Sequence, residues 1–141
     1  MASTRVKASI IVYKGDPFDY QKYRHTALFF EFEDGQPPVY IHVVGIRREF
    51  AVQQREDYDP VLSSTFVKKI EAGWLNGAMT RAHLIGLAWR TGPDNRSYEY
   101  NCHWWVQEAL RCFEQMGYIS SAAYEAAVDG MMDATLEAAD G

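Results

Sequence analysis

Apolar positions recur with period two in the first half of the chain and with helical period near its end. Residues 8–13 (A-S-I-I-V-Y) form a short β-branched and aromatic run closed by the Gly15-Asp16-Pro17 turn signal. Residues 24–32 (R-H-T-A-L-F-F-E-F) and 39–44 (V-Y-I-H-V-V) read as strands. The Asp34-Gly35-Gln36-Pro37-Pro38 stretch between them predicts a hairpin with a loop of about five residues. Alternation sets His25, Ala27 and Phe29 on one face and Thr26, Leu28, Phe30 and Phe32 on the other. Both sets are largely apolar, which predicts a sheet covered on both sides. Residues 49–55 (E-F-A-V-Q-Q-R) alternate as a half-buried strand does.

Residues 63–72 place Phe66, Val67 and Ile70 at helical spacing ahead of Gly73, and predict a helix with a glycine stop. The apolar run at 83–89 (H-L-I-G-L-A-W) leans towards a strand. The clearest period belongs to residues 101–117, where Trp105, Val106, Ala109, Leu110, Phe113 and Met116 share one helical face. Asn101 is a good N-cap there and Gly117 a good stop, which puts Cys102 in the first turn. Residues 120–139 read as a terminal helix or a frayed tail. With no repeat, low-complexity tract or linker, the expectation is one α+β domain over 1–141, an antiparallel sheet with packed helices, its core spanning about 8–118.

Composition narrows the function classes. A chain that is 48% hydrophobic and 23% charged has the globular balance rather than a disordered or membrane one. A formal charge of −5 argues against nucleic-acid partners, whose binding rests on clustered Lys and Arg. The pairs Arg47-Arg48 and Lys68-Lys69 read as solvated surface. Apolar runs such as Leu28-Phe29-Phe30 fall far short of the roughly 18 residues of a membrane span. The opening Met-Ala-Ser-Thr-Arg-Val-Lys has no apolar leader segment, so a cytoplasmic location is expected. Cys102 and Cys112 lie about 15 Å apart along one helix and cannot pair. Two free thiols fit a reducing compartment.

The thiols and imidazoles carry the candidate chemistry. A helix N-terminus favours thiolate through its unpaired N–H groups, which makes Cys102 the candidate nucleophile. Cys112, on the apolar flank, reads as a small buried hydrophobe. His25 opens a strand and His42 lies on the adjacent one; a histidine in a covered sheet is hydrogen-bonded or useful, and His42 also reads as a sheet histidine bonded to a backbone carbonyl. His103 points about 100° from Cys102 and reads as solvent-facing or a pocket wall; His83 is a weaker candidate still. No C-x-x-C or H-x-x-x-H spacing supports zinc and no phosphate loop is present, so neither metal nor cofactor is expected.

The segments R-H-T-A-L-F-F-E-F, Y-I-H-V-V and Y-N-C-H-W-W-V-Q-E-A-L, in that order, resemble the circularly permuted papain-like group. That group includes lecithin:retinol acyltransferase-like acyltransferases, NlpC-type peptidases and PPPDE-type deubiquitinating peptidases; the pattern is also similar to small fungal proteins with the same His-then-Cys order. The resemblance covers roughly residues 20–118. It implies that Cys102 is the nucleophile, His25 its base and His42 the polar partner that orients His25. It also implies that aromatics beside the cysteine, Trp104, Trp105, Tyr100 and Trp89, line a pocket for the acyl group; their residue-level reading is core. The expectation is a thiol hydrolase or acyltransferase acting on a small acyl, thioester or amide substrate. The alternative is a non-catalytic small-molecule or protein-binding module on the same fold.

Overall fold

The computed structural model describes residues 2–16, 18–45, 49–95 and 102–139. Five strands, β1 (Val6–Tyr13), β2 (His25–Phe32), β3 (Val39–Val44), β4 (Ala51–Glu56) and β5 (Phe66–Trp74), form one antiparallel sheet in the order β4-β3-β2-β1-β5. Three helices follow, α1 (Arg81–Ala88), α2 (Cys102–Gln115) and α3 (Ser121–Leu136). This is an α+β fold with the β2–β3 hairpin where the Gly-Pro-rich loop predicts it. Among the described residues no helix is long and apolar enough to cross a membrane.

Two elements differ in kind from the sequence expectation. Residues 66–74 are a strand, not a helix, and the cause is a pair of β-bulges. Tyr13 faces Phe66 while Val12 faces Lys68, so the register skips Val67; Ala8 faces Gly73 while Ser9 faces Glu71, so it skips Ala72. A bulge resets the alternation. Val67 and Ile70, three residues apart, then pack towards the same core, which reproduces helical spacing within a strand. Gly73, with φ of 106°, follows the skipped Ala72 at the second bulge and does not stop a helix.

The run leaning towards a strand is instead helix α1. Thr80 caps it, its hydroxyl accepting from the His83 N–H at 3.1 Å, and Leu84, Leu87 and Ala88 are its buried face. The terminal segment is a helix, α3, capped by Ser120. The proposed cap of α2, Asn101, lies outside the described residues, as do Arg47 and Arg48.

The helices all pack on one face of the sheet. Val6, Ile10, Leu28, Phe30, Val39 and Ile41 meet Trp105, Leu110, Phe113 and Met131 there. α2 lies over β2 and β3, and α3 over β5 and β1. The opposite face carries a smaller cluster of Ile11, Tyr13, Ala27, Phe29 and Tyr40, covered by Tyr58 and Phe66 from the β4–β5 region. The sheet is thus covered on both sides, with the α-helices of the described residues on one.

Candidate active site

The geometry of the site starts with a gap in the sheet. β2 runs from His25 to Phe32 and pairs with β1 along that whole length, yet it pairs with β3 only from Leu28 to Phe30. Among the described residues no strand pairs with the first residues of β2 on that side. The first turn of α2 packs there: the Arg24 carbonyl accepts from His103 Nε2–H at 2.8 Å and from the Cys102 thiol at 3.7 Å. His103 is thereby the anchor that seats the helix start on the strand, a role that its direction on the helix did not suggest.

Arg24 itself is held from the other side. Its guanidinium is buried and donates from Nε and Nη2 to the two oxygens of Asp19, at 2.9 and 2.8 Å, and from Nη1 to the Ala134 carbonyl at 2.6 Å. A forked pair of this kind fixes direction as well as distance. The last turn of α3 and Asp19 are tied through Arg24 to the strand end that carries the site.

His25 and His42 come together on the adjacent strands β2 and β3. His25 Nε2 lies 2.7 Å from His42 Nδ1, and His42 Nε2 lies 3.0 Å from Oε1 of Gln53, its direct partner across β3 and β4. The tautomers follow from the end of the chain. Gln53 Oε1 only accepts, so His42 carries its proton on Nε2 and accepts at Nδ1. His25 must then donate from Nε2, which leaves its Nδ1 with a free lone pair. Tyr13 stacks on the His25 ring at 5.8 Å, and Tyr40 meets the His42 ring edge-on at 4.7 Å.

The electrostatics favour neutral groups throughout. Burial, and then the neighbouring His42 and His103, push His25 down to about 3. Burial lowers His42, partly opposed by the Gln53 hydrogen bond, and lowers His103 as well. Burial raises the Cys102 thiol, opposed in part by the N–H and hydroxyl of Thr26 and by the N–H groups of Cys102 and His103. The sequence expectation of a lowered thiol pKa is reversed, because burial outweighs the helix terminus. Geometry agrees: the sulfur rests on a carbonyl oxygen, which a thiol can donate to and a thiolate would be repelled by. Among the described residues no hydrogen bond joins Cys102 Sγ to an imidazole.

The aromatics divide. Trp105 has no exposed surface, and its indole N–H donates to the Thr91 carbonyl at 2.7 Å, so it is core and not a pocket wall. Trp104 and Trp89 are about half exposed, Trp89 bonding to Gln54 Oε1 at 2.8 Å. Tyr100 lies outside the described residues. Cys112 is partly buried with its sulfur 3.4 Å from Thr91 Oγ1, and His83 is exposed on α1. A cavity of about 400 Å³ opens instead on the histidine face, between Phe29, Tyr58, Val61, Asp57, Asp59 and Lys69. Phe29 is four residues along β2 from His25, or about 13 Å at strand rise. Among the described residues no group of three His, Cys, Asp or Glu side chains is arranged to hold a metal ion.

The fold and site thus define an α+β protein with a helix-start cysteine and a strand-borne histidine pair at one end of its sheet. The chain belongs to DUF6540, a family of unknown function whose profile matches residues 10–120, from β1 to the end of α2 and just beyond. No curated protein and no solved structure matches it.

Proposed function

We propose that the protein is a cysteine-dependent hydrolase or acyltransferase of permuted papain-like type, acting through an acyl-enzyme on a small acyl, thioester or amide substrate. The observation that carries this reading is the His25–His42–Gln53 chain, which leaves His25 Nδ1 as a neutral acceptor beside the strand end on which Cys102 sits. A base needs an oriented ring and an unprotonated nitrogen at working pH, and His25 has both.

In this mechanism Cys102 Sγ turns from the Arg24 carbonyl to His25 Nδ1, gives up its proton there and attacks the acyl carbonyl. The N–H of Cys102 helps to hold the oxyanion. Imidazolium His25 returns the proton to the leaving group as the carbon–leaving-group bond breaks, and a thioester remains on Cys102. Water, an amine or an alcohol, deprotonated by the same nitrogen, then takes the acyl group. The apolar and acidic cavity on the histidine face is large enough to hold a substrate's remote portion. Two free thiols suit a cytoplasmic setting.

A second reading rests on a specific observation, the Cys102 thiol turned towards Arg24 and raised by burial. On that reading the fold is a non-catalytic binding module. Incubation with acyl thioesters, p-nitrophenyl esters and ubiquitin-tail amides, followed by intact mass and peptide mapping, separates the two. An acyl adduct on Cys102, absent from Cys102→Ala, is expected. No adduct with any donor would favour the binding module.

A further inference from the structure

Thr26 is fully buried on the α2 side of β2, and its hydroxyl has no hydrogen-bond partner. Such a group is costly to bury unless something draws on it. Its position is specific. Thr26 is the second residue of β2, two beyond Arg24, and Cys102 Sγ already rests on the Arg24 carbonyl. The Thr26 hydroxyl lies close enough to the sulfur to favour its ionised form, yet at rest it makes no well-formed hydrogen bond to any group.

The protonation state of the sulfur accounts for this. A thiol is a weak acceptor, and its proton is turned to the Arg24 carbonyl. A thiolate is a strong acceptor with no proton to place, and the hydroxyl of Thr26 can then swing to it. We propose that Thr26 is a positioning residue whose hydroxyl donates to the Cys102 thiolate as the proton leaves, lowering the cost of ionising this sulfur. This rests on the reading of Cys102 as a nucleophile. The Thr26 N–H and the N–H groups of Cys102 and His103 complete the cradle. The ionisable groups around it are His25 and Arg24 from the β2 end, Tyr40 from β3 and His103 from α2 itself, and the Arg24 guanidinium is turned away to Asp19 and Ala134.

The test needs no substrate. The pH dependence of Cys102 alkylation by iodoacetamide, read by peptide mapping, is compared in the wild type, Thr26→Val and Thr26→Ser. Valine keeps the shape and removes the donor; serine keeps the donor. Thr26→Val should alkylate about ten- to a hundredfold more slowly at a given pH below its thiol pKa, with the profile displaced upward, because a hydrogen bond to a charged group is being lost. Thr26→Ser should follow the wild type. The melting temperature of Thr26→Val should not fall, since the hydroxyl has no native partner to lose. A folded Thr26→Val with the wild-type profile would overturn the proposal, and so would a Thr26→Ser that behaves like valine, which would assign the effect to packing. If the Thr26 effect is present while no donor acylates Cys102, the thiolate cradle stands and only the catalytic reading fails.

Discussion

Burial acts in opposite senses on Cys102 and His25, raising the thiol and lowering the imidazole, and both shifts favour the neutral pair over thiolate and imidazolium. The resting protein should therefore lack the low-pH thiolate of a pre-formed ion pair. Iodoacetamide labelling of Cys102 is expected to climb steadily with pH through the alkaline range; a rate that is flat from pH 5 to 8 would contradict it. With an acyl donor that forms the adduct, His25→Ala should slow acylation by about 10²- to 10⁴-fold, the usual worth of a positioned base. Gln53→Leu removes one hydrogen bond holding the His42 tautomer and should cost about five- to tenfold in the same assay. Equal acylation rates in wild type and Gln53→Leu would detach Gln53 from the chain of histidines. The placement of Cys102 at a helix start, and of His25 and His42 on adjacent strands, was legible from the apolar pattern. Gln53, Thr26 and His103 were not, because their roles depend on strand register and on where β3 leaves β2, neither of which a linear pattern contains.

Among the elements, β1 to β4 and α2 follow from periodicity because each keeps one unbroken period along its length. β5 and α1 exchange their types for two different reasons. In β5 the bulges at Val67 and Ala72 break the period of two. In α1 a short, nearly uniform apolar run hides the period of 3.6, and the informative signal is the cap at Thr80 rather than the run itself. The packing of α3 on β5 offers a test of this arrangement. A Cβ on Gly130 would stand 3.1 Å from Ile70 Cγ2, so the glycine lets the helix lie close against the bulged strand here. Gly130→Leu should destabilise the protein by about 1–3 kcal/mol through overpacking, despite leucine's better helix propensity. Urea unfolding measures it, and a stability equal to or above the wild type would mean that α3 does not meet β5 at this point.

Across the whole molecule, the same buried imidazoles that ready the site make the fold sensitive to mild acid. His25, His42 and His103 all have lowered pKa values, against 6.5 for the free side chain. The sign follows from linkage. Below pH 6.5 the unfolded chain takes up protons that the folded one refuses, so stability is full above that pH and falls as the pH drops, down to about 3 in the case of His25. Each histidine contributes a limiting slope of about 1.4 kcal/mol per pH unit, and three together should give a slope steeper than one alone. Asp19 acts in a lower window, because its forked bond to Arg24 holds its carboxyl down to about 2, against 3.8. Its contribution is present above pH 3.8 and is lost as the pH falls through 2. Urea unfolding between pH 8 and 4.5 isolates the histidine window. The unfolding free energy should be level above pH 7 and decline below 6.5, and His25→Asn should reduce the limiting slope by about 1.4 kcal/mol per pH unit. Stability that stays level to pH 5 would mean that the imidazoles are charged in the folded protein, and the neutral His25 base would fall with it.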